Sequence, residues 1–205
     1  MRLMAIFGIL LLLLSAGYQP TNIPTGEESA VSVMDDVNRL NSMRDLDEIF
    51  ALEGDNEFSI AFSSALEDWT EYGEHLEELS PEARIFYLCN AIERDVNCDG
   101  FLGYIFEHDG CYATETVVAL ETIGAPKTAD ILRRAIALLP NGVCPTDYFE
   151  REDILFTDYD GYSSAYSELD EEFYSYPDGV LWQLNAAYAR ARRDSFSAPG
   201  EGAKP

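Results

Sequence analysis

The chain has 205 residues, 47% hydrophobic and 12% aromatic, and carries 38 Asp and Glu against 13 Lys and Arg, a formal charge of −25. A surface this negative repels nucleic acid and anionic membranes and attracts basic proteins or cations. The hydrophobic content excludes a disordered acidic chain and suffices for one filled core.

Residues 1–17 are expected to be a signal peptide. Arg2 supplies a positive start, Ala5 to Leu14 an apolar run, and Ser15-Ala16-Gly17 the small residues read by a peptidase. The run is short for a bilayer span, which needs about 20 residues, so no stable membrane span is expected after cleavage. Export to the periplasm or outside the cell follows. A start at Met34 or Met43 would instead leave the protein in the cytoplasm.

Residues 18–28, rich in Pro and Thr, read as a linker. Residues 29–79 read as an acidic helical region, with Val33, Val37, Leu40, Met43 and Leu46 on one side and a second helical pattern over 58–78. Residues 45–82 hold thirteen Asp or Glu and no Lys or Arg. Glu67, Glu71, Glu74 and Glu78 have the spacing of one helical stripe, where like charges oppose helix formation. Solubility alone does not require that cost.

A third helix is expected to open with Ser80 as its cap and Pro81 at its first position, burying Ile85, Leu88, Cys89, Ile92 and Val96. Within "ERDVNCDGFLGYIFEHDG", Asp95, Asn97, Asp99 and Gly100 imitate the first half of an EF-hand loop. The closing Glu fails: position 12 is Phe106, Glu107 comes one residue late, and position 9 is Gly103. Asn97 and Asp99 are instead expected to hydrogen-bond nearby backbone in a turn, with Gly100 supplying a permissive dihedral and Gly110 ending a short helix. Gly124 closes the next helix, and another runs from Pro126 to before Pro140. "SSAYSELDEEFYSY" and "DGVLWQLNAAYARARR" are also helical in pattern. The expected fold is all-α: a compact multi-helix domain over 80–193, preceded by the acidic region and followed by a disordered tail over 194–205.

Cys89, Cys98, Cys111 and Cys144 fit no zinc spacing. After export they permit two disulfides, of which Cys98–Cys111 is the favoured pair, while Cys89 suits a buried thiol. Nothing in the sequence forms a nucleophile elbow, a phosphate loop or an HExxH motif. No catalytic residue, metal ligand or cofactor is assigned.

"VNCDGFLGYIFEHDGCYATETVVALETIGAPKTADILRRAIALLP", followed by "LDEEFY", resembles the DNA-mimic family of acidic domains typified by a neisserial protein. The resemblance rests on Val96-Asn97, on Cys98-Asp99-Gly100-Phe101 in place of a glycine pair, on Asp109-Gly110, on Ala119 to Ala125, and on Leu169 to Tyr174. It covers roughly residues 80–193. It implies a non-catalytic domain that occupies the DNA-binding face of a basic partner without contacting nucleic acid. Read from charge, the presenting carboxylates would be Glu67, Glu71, Glu74 and Glu78, with Asp158, Asp160, Asp170, Glu171 and Glu172 in a second acidic stretch opposed only by Arg151. Tyrosines interleave that stretch, and about half should be core. Two alternatives stay open: adaptation to salt, since only Lys127 and Lys204 are lysines, and an exported calcium-binding or enzymatic domain.

Overall fold

The computed structural model describes the backbone of residues 27–198 and the side chains of residues 34–198. The signal peptide expected at 1–17, most of the linker and the end of the tail lie outside the described residues. The described residues form nine α-helices and no strand. They are α1 (Glu27–Asn41), α2 (Leu46–Phe50), α3 (Asp55–Trp69), α4 (Pro81–Phe106), α5 (Ala113–Thr122), α6 (Pro126–Ala137), α7 (Tyr148–Thr157), α8 (Tyr159–Tyr174) and α9 (Leu181–Arg190). None is long and apolar enough to cross a membrane.

Helix α4 is the axis of the molecule, packed by α3, α5, α7, α8 and α9. Ser80 caps it by accepting from the Ala83 N–H, and Pro81 fills the first position, where no donor is missed. Phe86, Leu88, Cys89, Ile92 and Val96 are buried along it. At one end, Phe58 and Phe62 of α3 meet Phe50, Phe86 and Phe196 in a tilted and edge-on aromatic cluster. Phe196, in the segment read as tail, is thus buried. Because α9 packs on both α3 and α4, the acidic region and the domain over 80–193 share one continuous core from Leu40 to Phe196.

Helix α4 bends at Asp99 and Gly100, where Gly100 takes φ +67° and ψ −173°. The Phe101 N–H released there donates to Asp170 Oδ1 of α8 at 2.7 Å. A Cβ on Gly100 would lie 2.7 Å from Asp170 Oδ2, so the glycine serves both the dihedral and the close approach. The turn differs from the sequence expectation. Asn97 remains helical and donates through Nδ2 to the Tyr176 hydroxyl at 3.0 Å, and the freed amide is held by Asp170 from another helix. Gly110 sits in a 3-10 turn, His108–Tyr112, where a Cβ would meet the Ile105 carbonyl oxygen at 2.4 Å. Gly124, at φ +90°, closes α5 as expected, with Ala125 N–H reaching the Leu120 carbonyl at 2.8 Å.

Candidate interaction surface

The four-glutamate stripe does not form. Helix α3 stops at Trp69, and Glu71 (φ +50°) and Tyr72 (φ +62°) then turn left-handed. Thr70 Oγ1 donates to the Leu66 carbonyl and accepts from the Gly73 N–H, which fixes the reversal. Gly73 lets the backbone approach so closely that a Cβ would lie 2.5 Å from the Tyr87 hydroxyl. Glu71 and Glu74 are exposed but leave the chain at an irregular turn, and Glu78 is exposed on a 3-10 turn, Leu76–Glu78.

Glu67 points inward. Arg94 of α4 donates through Nη1 to Glu67 Oε1 at 2.9 Å, through Nε to Asp95 Oδ1 at 2.8 Å, and through Nη2 to Asp109 Oδ2 at 2.8 Å. Tyr87 donates to the other Asp109 oxygen at 3.3 Å. Burial raises the pKa of all three carboxyls, that of Asp95 to about 6, against the pull of Arg94, and the three carboxylates hold the Arg94 guanidinium protonated. This is a structural knot. The helix running through Asp95 and Asn97, with Asp95 turned to Arg94, is also incompatible with an EF-hand loop there.

The first acidic stretch is further balanced by arginines distant in sequence: Asp68 by Arg44, Asp55 by Arg190 at 3.0 Å, and Asp47 by Arg193. The second stretch differs. Its one cation, Arg151, is 1% exposed and turned into the core. There it donates to four carbonyl oxygens, Ile105 (2.8 Å), Pro145, Thr146 and Glu107 (each 3.0 Å). Two of these lie at the C-terminal end of α4, where the helix dipole favours a positive charge. Arg151 therefore fastens α7 to α4 and leaves the outside of α7 without a cation of its own helix.

What faces out is acidic and aromatic. On α7, Phe149, Asp153 and Phe156 lie at i, i+4 and i+7, one exposed stripe. On α8, Asp160, Glu168 and Glu171 are exposed within an arc of about 80°. Phe149 is 69% exposed, Phe156 61% and Tyr159 50%, unusual for rings of this size. Tyr166 and Phe173 are core, as half of this group was expected to be. Asp147 and Asp158 cap α7 and α8 by accepting from Glu150 and Gly161 N–H groups.

Of the carboxylates assigned to a partner from sequence, Asp158, Asp160 and Glu171 are exposed, Asp158 while capping α8. Asp170 is withdrawn, since it caps the second half of α4. Glu172 is held by both Arg134 nitrogens at 2.6 and 2.7 Å. Phe149, Glu150, Glu152, Asp153 and Phe156 were missed because α7 was not read as a helix. Its signal was present in Asp147 with Glu150 three residues on, the spacing of a helix start.

The cysteines are free thiols. Cys98 is exposed beside Asp95 and Asp99, whereas Cys111 sits beside Tyr112 and Arg151. The expected Cys98–Cys111 bridge is absent, both residues being free thiols. Cys89 is buried as expected.

A family profile described as DMP19-like protein matches residues 77–192. Comparisons with curated proteins and with solved structures returned no match.

Proposed function

The chain belongs to the DMP19-like protein family, a DNA-mimic-like domain, and on that premise we propose that it works by binding, presenting the outer face of α7 and α8 to a basic protein that otherwise holds DNA. One observation carries this reading: on α7 the exposed Phe149, Asp153 and Phe156 share one stripe, while the one sequence-local cation is buried in backbone carbonyls. B-DNA offers its binders regularly spaced negative charge, about one per 1.7 Å of axis. Two helices packed on α4 hold carboxylates on a folded support. The rings add what a polyanion lacks, contact area against which partner arginines can stack. Salt adaptation accounts for scattered carboxylates but gives no reason to expose Phe149 and Phe156 among them. The role is non-catalytic, and the deepest carboxyls, Glu93, Asp95 and Asp109, serve the core. Export, if it occurs, would confine the partner to basic proteins outside the cytoplasm.

The test is capture from lysate on the immobilised full chain, beside a variant carrying Asp153→Asn, Asp160→Asn, Glu168→Gln and Glu171→Gln. The expected catch is DNA-binding proteins that added duplex DNA or salt releases and that the variant fails to hold. Equal recovery by both chains would overturn the reading.

A further inference from the structure

A pocket of about 260 Å³ opens between the bend of α4 and the end of α7, lined by Asp99, Leu102, Gly103, Phe106, Glu107, Leu155, Phe156 and Tyr159. Three rings, Phe106, Phe156 and Tyr159, form part of its wall. Phe156 and Tyr159 stack with centroids 6.1 Å apart and planes 17° apart, and Phe106 meets Phe156 edge-on at 6.0 Å. Phe106 also contacts Tyr148 at 5.2 Å, which continues the row of rings along α7. Gly103 keeps the floor open, with the Asp99 side chain folded over it.

Two carboxylates edge this pocket, and the described residues pair neither with a cation. Asp95 stands one helical turn before Asp99. One of its oxygens accepts from Arg94, while the other is buried without a hydrogen-bond partner among the described residues. Partial burial raises the pKa of Glu107, and the negative charges of Asp95 and Asp99 add to it. Three carboxyls thus share a region where the nearest guanidinium on their own helix, Arg94, is already engaged with Glu67 and Asp109.

We infer that this pocket receives one arginine side chain of the basic partner, its guanidinium lying against Phe156 and Tyr159 and donating to Asp99 and Glu107. A guanidinium has the flat face that stacks on a ring and the forked donors that suit a carboxylate edge, whereas an ammonium has neither. The volume lies at the small end for ligand sites, which run from about 300 Å³ upward, so it suits a side chain better than a cofactor. The pocket adjoins the exposed α7 stripe, so a chain lying on that face can reach it. This inference rests on the binding role proposed above and names the contact that would select arginine.

The experiment titrates the full chain with three synthetic peptides identical except for Arg, Lys or citrulline at one central position among otherwise basic residues. NMR follows the Phe156 and Tyr159 ring signals, and calorimetry gives affinity. The Arg peptide should shift both rings and bind roughly tenfold more tightly than the Lys peptide. Phe156→Ser and Asp99→Asn should each remove that preference, while Glu74→Gln keeps it. Phe156 and Asp99 are exposed, so the fold should survive both substitutions, as a circular-dichroism melt would verify. Salt-sensitive binding with equal affinity for Arg and Lys overturns the pocket and leaves the acidic face standing. No binding of any basic peptide overturns both. Ring shifts produced by calcium alone, or a dimer that Phe156→Ser dissociates, would assign the pocket to a metal or to a second copy and also overturn the arginine.

Discussion

Two stretches of this chain, residues 45–82 and 147–178, look alike as strings of carboxylates, yet the fold treats them oppositely. In the first, four arginines from elsewhere (Arg44, Arg94, Arg190 and Arg193) return to pair with Asp68, Glu67, Asp55 and Asp47. In the second, only Glu172 finds an arginine among the described residues, and the local Arg151 turns its back on solvent. Acidic sequence is therefore a poor guide to acidic surface. What distinguishes an interface is where the counter-charges go, and that depends on contacts between residues as far apart as Asp47 and Arg193.

The sharpest way to break the comparison is to remove the counter-charge from the first stretch. Arg94→Met strands Glu67, Asp95 and Asp109 in the interior and should cost about 3–5 kcal/mol, read as a fall in the urea midpoint. Loss of a surface ion pair such as Arg44–Asp68 should cost no more than about 1 kcal/mol. Asp170→Ala ranks next. It leaves the Phe101 amide at the bend without its acceptor and should cost about 1–2 kcal/mol, with faster amide exchange at Phe101.

A third prediction concerns pH. Glu93, 1% exposed, has its pKa pushed by burial from 4.5 up to about 8, against contacts with Tyr176 and the Trp182 backbone that lower it. The folded chain keeps a proton that the unfolded chain releases, so Glu93 favours the fold most at low pH and loses that advantage as pH rises from about 4.5 to about 8. Asp95, raised from 3.8 to about 6, has the same sign over a lower window. Urea denaturation should show greater stability near pH 5 than near pH 8, and Glu93→Gln should flatten the difference. An unchanged slope in the variant would place the dependence elsewhere. Smallest of all, neutralising Asp153, Asp160 or Glu171 singly should move stability by less than about 0.5 kcal/mol, while weakening capture of a basic partner.

The fold was legible wherever its signals were local. Ser80-Pro81, Pro126 and Gly124 announced α4, α6 and the end of α5, and the helical class followed from apolar periodicity. The site was legible only in part. Gly73 broke the presumed glutamate stripe, yet a glycine inside a helical pattern tells little until the Tyr87 hydroxyl it approaches is known. Asp170 reads as one more surface acid because its partner amide lies 69 residues away. Arg151 reads as the cation that opposes the second stretch, and only packing shows that it serves carbonyl groups instead. The resemblance across 80–193 named the family that the profile match over 77–192 shows, though not the face.

The most direct measurement is amide hydrogen exchange of the full chain with and without a saturating arginine-rich peptide. The predicted result is slowed exchange across α7, α8 and the bend of α4, with residues 45–78 unchanged. Slowed exchange confined to 45–78, or none anywhere, would contradict an interface on α7 and α8.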